Sequence, residues 1–143
     1  MSEALYSAAI LRLKLAGEAA QRLPAPDGSA TCVSPVCGSK VIADVARDRQ
    51  GRITALALDA SRACTLGQAS AAVVAERVVG LDAAALAGLR GALADFLAMR
   101  IDEAPAGWEA FAPARPHRAR HPSILLAVDA VLAALAAAGQ AAA

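Results

Sequence analysis

The chain has 143 residues, a formal net charge of +1, 57% hydrophobic residues and only 3% aromatic ones. That length suffices for one domain with its own core, and the near-neutral charge provides no bulk attraction to nucleic acid or to a membrane surface. With so few aromatics, the core must come from Leu, Val, Ile and Ala.

Apolar positions at helical spacing (Leu5, Ala8, Ala9, Leu11, Leu13, Leu15) predict a first helix over residues 3–21. Pro24-Ala25-Pro26-Asp27-Gly28 ends it as a loop. Three extended runs follow at 29–33, 40–46 and 53–60, the second alternating as a half-buried strand does. Residues 47–52 join the last two as a hairpin loop in which Gly51 suits a positive φ, so the strands form a small antiparallel meander.

Helical spacing returns at 66–79 (Ala69, Val73, Val74, Val78), with Gly80 as its C-cap. Asp82 is placed to N-cap a further helix through Leu86, Leu89, Leu93, Phe96 and Leu97. Residues 101–122 read as irregular, with four prolines, Trp108 and the basic run Arg115-Pro116-His117-Arg118-Ala119-Arg120-His121. A last helix over 123–138 is apolar on nearly every face, which predicts burial. Its apolar run is broken by Asp129 and too short to span a bilayer comfortably. Residues 139–143 are expected to fray. The expected fold is α+β, one domain in the order α-β-β-β-α-α-α, with a three-stranded antiparallel sheet packed against helices.

Three cysteines and no visible secretory signal pattern lead to the expectation of a cytoplasmic, reducing setting in which thiols serve metals or redox chemistry. Cys37 lies in Ser34-Pro35-Val36-Cys37-Gly38-Ser39, and Cys64 in Arg62-Ala63-Cys64-Thr65-Leu66-Gly67-Gln68-Ala69-Ser70. Each stands where an extended run gives way to a turn. Cys64 also opens a helix, where unpaired backbone N–H groups favour the thiolate that binds metal or exchanges sulfur. Spacing alone matches no zinc-finger or ferredoxin pattern, so on spacing alone packed inert thiols are the favoured reading. Gly67, Ala69, Ser70, Ala71 and Ala72 leave room beside Cys64 for a bulky cluster or a partner's loop, or for close helix–sheet packing.

Other chemistry is thinly represented. The chain has no Gly-rich phosphate loop, no Gly-x-Ser-x-Gly elbow and no His-Glu-x-x-His helix. A Cys64–His121 catalytic pair lacks an accompanying oxyanion hole, and the basic run lacks the interleaved aromatics of a nucleic-acid binder. The expectation is a protein that is not an enzyme and binds neither nucleic acid nor membrane.

The segments around the cysteines resemble the NifU/IscU-type scaffolds of iron–sulfur cluster assembly. That family carries Asn-Pro-x-Cys-Gly-Asp, a hairpin, a Gly-Cys segment entering an Ala/Ser-rich helix, and a late Cys opening a C-terminal helix. Residues 34–39 are similar to the first segment, 62–70 to the second and 121–130 to the third, in order over residues 5–135. The chain departs at two places: Ser39 stands where the family has Asp, and Ser123 where it has the third Cys. The resemblance implies a scaffold or carrier binding iron or a labile [2Fe–2S] cluster through Cys37 and Cys64. His121 is then a third ligand, with Cys32, Ser39 and Ser123 as further candidates. It also implies a cysteine desulfurase and apo-protein acceptors as partners. The basic run itself offers Arg115, Arg118 and Arg120 as a docking patch for an acidic partner surface, or as a solvated loop. The oligomeric state the resemblance leaves is a monomer or weak homodimer. Two alternatives accompany it: a zinc-bound relay of persulfide sulfur, and an interaction module without metal.

Overall fold

The computed structural model describes residues 5–17 and 22–141. The first element is helix α1 (Ala8–Gly17), so the expected helix exists, but residues 3, 4 and 18–21 of its expected span lie outside the described residues. The strands are β1 (Gly28–Val33), β2 (Lys40–Arg47) and β3 (Ile53–Arg62), paired antiparallel in the order β1-β2-β3. This is the expected meander, and Gly51 in its hairpin sits at φ +81. Helices α2 (Thr65–Arg77), α3 (Ala83–Leu97) and α4 (His121–Ala141) complete the α+β fold.

The strands run one or two residues beyond the expected ranges, and the larger differences lie in the helices and the segment before α4. Helix α2 is capped by Val78, whose N–H donates to the carbonyl of Val74, and not by Gly80. Gly80, at φ +96, instead turns the chain back so that its N–H donates to the carbonyl of Ile53. Residues 101–122 are not wholly irregular, because they contain two short 3-10 turns, Glu109–Ala114 and Arg118–Arg120. Helix α4 begins at His121, two residues early, because Pro122 suits the first turn of a helix, where its missing N–H costs nothing. It continues to Ala141, three residues past the expected end; residues 142 and 143 lie outside the described residues.

Helix α4 is the core element, packing on β1, β2, α2 and α3. Ile124, Ala127, Val128, Val131 and Ala134 on it are fully buried, as are Val41, Ala43 and Val45 on β2. By length and composition α4 could cross a membrane, but most of it is buried inside the fold. Close approach to β1 depends on Gly28, where a Cβ would fall 2.6 Å from the backbone nitrogen of Ala138. On β2, the fully buried Asp44 accepts from Arg22 Nε at 2.6 Å, from the Ser29 hydroxyl at 2.6 Å and from the Leu23 N–H at 3.0 Å. The Arg22 guanidinium, ahead of the Ser29 hydroxyl, lowers its carboxyl to about 2.

Candidate functional site

The β1–β2 loop is a tight turn because two of its backbone groups bond across it. Ser34 N–H donates to Ser39 O and Gly38 N–H to Ser34 O, both at 2.8 Å, with Gly38 at φ +72. Cys37 is carried at the exposed tip, and Ser39 is turned inward, 4% exposed, where β2 begins. The first turn of α4 meets this loop and brings Ser123, 2% exposed, to the same point.

Cys37 Sγ lies 3.0 Å from Ser39 Oγ and 3.1 Å from Ser123 Oγ. As a thiol, Cys37 donates to Ser39; as a thiolate, it accepts from both hydroxyls. The Ser123 hydroxyl, followed by that of Ser39, lowers the Cys37 thiol to about 6, so it is mostly anionic at neutral pH. Ser39 Oγ also accepts the N–H of Cys64 at 3.1 Å, which orients its own proton toward the sulfur. A third hydroxyl, Ser34, is 1% exposed and makes no hydrogen bond, yet it too favours the Cys37 anion.

Cys64 is the N-cap residue of α2, in extended conformation, and its side chain caps nothing. Gly67 in the next turn faces α4: a Cβ there would stand 3.4 Å from the Ser123 carbonyl oxygen and 3.8 Å from Cys64 Sγ. The starts of α2 and α4 therefore converge, and their N-terminal dipoles favour an anion between them. Their junction is pinned from behind. Trp108 Nε1 donates to Ser70 Oγ at 3.0 Å, and Ser70 Oγ donates to the Ile124 carbonyl at 2.6 Å, all buried. Sequence reading missed this clasp; a lone Trp in a proline-rich segment is the trace it leaves.

The structure thus gathers Cys37, Ser39, Cys64 and Ser123. It does not bring His121 to them, because Nε2 of that ring lies 3.0 Å from the Ala114 carbonyl and 3.1 Å from that of Arg115. Two positions apart on a helix, His121 and Ser123 point to nearly opposite sides. Cys32 is on β1, opposite Val41, packed against the core. Burial, and then the charge of Asp129, push its thiol up. Among the described residues, no group of three or more His, Cys, Asp or Glu side chains could hold a metal ion.

The basic run divides in two. Arg115 is used inside the fold, its Nε donating to the Phe96 carbonyl at 2.7 Å and Nη2 to that of Ile101 at 2.6 Å, with its guanidinium over the Phe96 ring. Arg118 and Arg120 are exposed. Arg115 and Arg118 line an open groove with Leu97, Met99, Pro122 and Leu125, next to the turn that carries Ser123.

No protein-family model matches the chain, and no curated protein does. Among solved structures it is similar to the N-terminal part of a nitrogen-fixing NifU-like protein from Brucella abortus, with a TM-score of 0.85. The two are 35% identical over 95% of each chain. It is also similar to a candidate iron–sulfur cluster assembly scaffold protein for the SUF system from Fervidobacterium islandicum AW-1. There the TM-score is 0.77 at 18% identity, over 92% of this chain and 96% of that one, and the likeness is one of fold.

Proposed function

Because the chain belongs to the NifU-like family, we propose that it serves iron–sulfur cluster assembly as a carrier whose cargo is taken up at Cys37 and Cys64. The observation that carries this reading is the exposed Cys37 sulfur held by two buried hydroxyls, at the place where Cys64 opens α2. An accessible thiolate can receive and give up cargo, which a buried, fully coordinated group could not do.

In the fullest form of this reading the cargo is iron or a labile [2Fe–2S] cluster. Cys37 and Cys64 supply two thiolates, and a second copy, a small thiol or the acceptor protein supplies the remaining ligands. A resident zinc fits less well. The converging donors are two thiols and neutral hydroxyls, and hydroxyls are poor ligands for zinc. The sulfur half of the relay reading is better supported, since an anionic exposed thiol is a nucleophile for persulfide sulfur. A cysteine desulfurase is then the donor, apo-proteins are the recipients, and Arg118 and Arg120 form a docking patch beside the site.

Anaerobic purification with measurement of iron, zinc and acid-labile sulfide per chain tests this. Iron and sulfide in equal amounts, with visible charge-transfer bands lost in Cys37→Ser and Cys64→Ser, support cluster carriage. Sulfur bound to Cys37 without iron supports the relay. A chain that takes neither iron nor sulfur after reconstitution overturns the carrier reading and leaves an interaction module.

A further inference from the structure

Where the β1–β2 loop touches the starts of α2 and α4, the Cys37 thiol meets the hydroxyls of Ser39 and Ser123, with the buried Ser34 beside them and the Cys64 backbone N–H bonded to Ser39 Oγ. Among the described residues neither a carboxylate nor an imidazole completes a ligand set with them. This inventory suits an anion better than a cation. A hydroxyl donating to negatively charged sulfur makes a charge-assisted hydrogen bond, whereas the same hydroxyl is a weak metal ligand. Burial separates the roles further. The hydroxyl-bearing residues Ser34, Ser39 and Ser123 are 1%, 4% and 2% exposed, while the thiol they surround is open to solvent.

Building on the carrier reading above, we infer that the cargo of this site is a sulfane sulfur taken up on Cys37 without a metal, with Ser39 and Ser123 as positioning residues for the sulfur anion. The Cys37 thiolate attacks the outer sulfur of a donor's persulfide anion. A new S–S bond forms at Cys37, the donor's S–S bond breaks, and the donor leaves as its thiolate. One disulfide-type bond replaces another, so no oxidant or reductant is consumed. The negative charge moves from Cys37 Sγ to the added sulfur, about 2 Å further out. Ser34, whose hydroxyl is buried and unpartnered, supplies an unused donor for the displaced charge. Release reverses the step, as an acceptor's thiolate attacks the added sulfur and Cys37 leaves as thiolate.

The test uses the full chain, stripped with a chelator and shown to be free of zinc and iron, and treated with glutathione persulfide. Intact-mass spectrometry follows addition of one sulfur atom. The expected result is uptake on Cys37 by the metal-free chain. Ser39→Ala and Ser123→Ala should each slow uptake roughly tenfold, in line with loss of a hydrogen bond to a charged group. Ser123→Thr, which keeps the hydroxyl, should restore most of the rate. Ser39→Asp combined with Ser123→Cys should gain bound zinc and lose metal-independent uptake. Uptake that requires added zinc, or folded alanine variants that react at the wild-type rate, would overturn this inference while leaving Cys37 a carrier. A Cys37→Ser chain that takes up sulfur as fast as wild type would overturn the carrier reading itself.

Discussion

Cys32 and Cys37 stand five positions apart on consecutive pieces of chain, and their thiols are driven in opposite directions. Strand β1 packs Cys32 against the core, with the Asp129 charge nearby, so burial and like charge disfavour its anion. The loop after β1 lifts Cys37 into solvent and closes two buried hydroxyls around its sulfur, so the anion is favoured. Burial of a thiol produces inertness, while burial of its hydrogen-bond donors produces a reactive thiolate. Asp44 marks a third case. It is an anion both buried and charge-paired, and it serves as a clasp between β2 and the chain at Arg22.

The largest way to break the contrast is to unpin α4. Trp108→Ala removes a fully buried side chain and the Ser70 clasp, and should cost about 3–5 kcal/mol of stability. Calorimetric melting reads that loss, and in the surviving folded fraction Cys37 should lose its advantage over Cys32 as Ser123 drifts. Next in size is the contrast itself. At neutral pH, iodoacetamide should modify Cys37 much faster than Cys32, whose thiol is pushed up while that of Cys37 is lowered. The Cys37 rate should rise with pH, pass half its maximum at about 6 and level off well above that. Ser123→Ala removes the largest influence on the anion and should move that profile upward, more than Ser39→Ala does. A profile that stays in place would remove the hydroxyls from the explanation.

The Asp44 clasp sharpens the comparison by its opposite character. Its carboxyl is depressed from 3.8 to about 2 in the folded chain, so its contribution to stability is fully present above the unfolded value. That contribution, about 2 kcal/mol, is lost as pH falls between those two values. Asp44→Asn should flatten acid unfolding in that window while leaving Cys37 alkylation unchanged. The smallest effect is expected for Gly67→Ala. The added methyl gains about 1 kcal/mol of helix propensity. It also meets Ala63 Cβ at 3.0 Å and the Ser123 carbonyl at 3.4 Å. Melting should shift little, while the displaced α4 start should slow Cys37 alkylation measurably.

What could be read ahead of the structure was local. Asp82 was recognisable as an N-cap because its carboxylate has only to reach the Ala85 N–H three residues on, at 2.8 Å. Cys37 with Ser39 was visible as a unit because both belong to one six-residue turn. The resemblance implied His121 as a ligand beside Ser123, while the helix turns the two side chains apart. Arg115, grouped with Arg118 and Arg120 by charge, also donates to the Phe96 and Ile101 carbonyls, which its place in the run did not reveal. The clasps of Asp44 with Arg22, and of Trp108 with Ser70, join residues 22 and 38 positions apart and left no periodic trace.

The sequence by itself determined the order of elements, the meander and the two thiols, because periodicity, capping and turn chemistry act over a few residues. The family resemblance was legible in the same short segments. Only the tertiary structure decided that Ser123, 86 positions from Cys37, lies 3.1 Å from its sulfur, and that His121 does not. That difference is set by how α4 docks against the sheet and α2, a sum of many packing contacts that no short segment encodes.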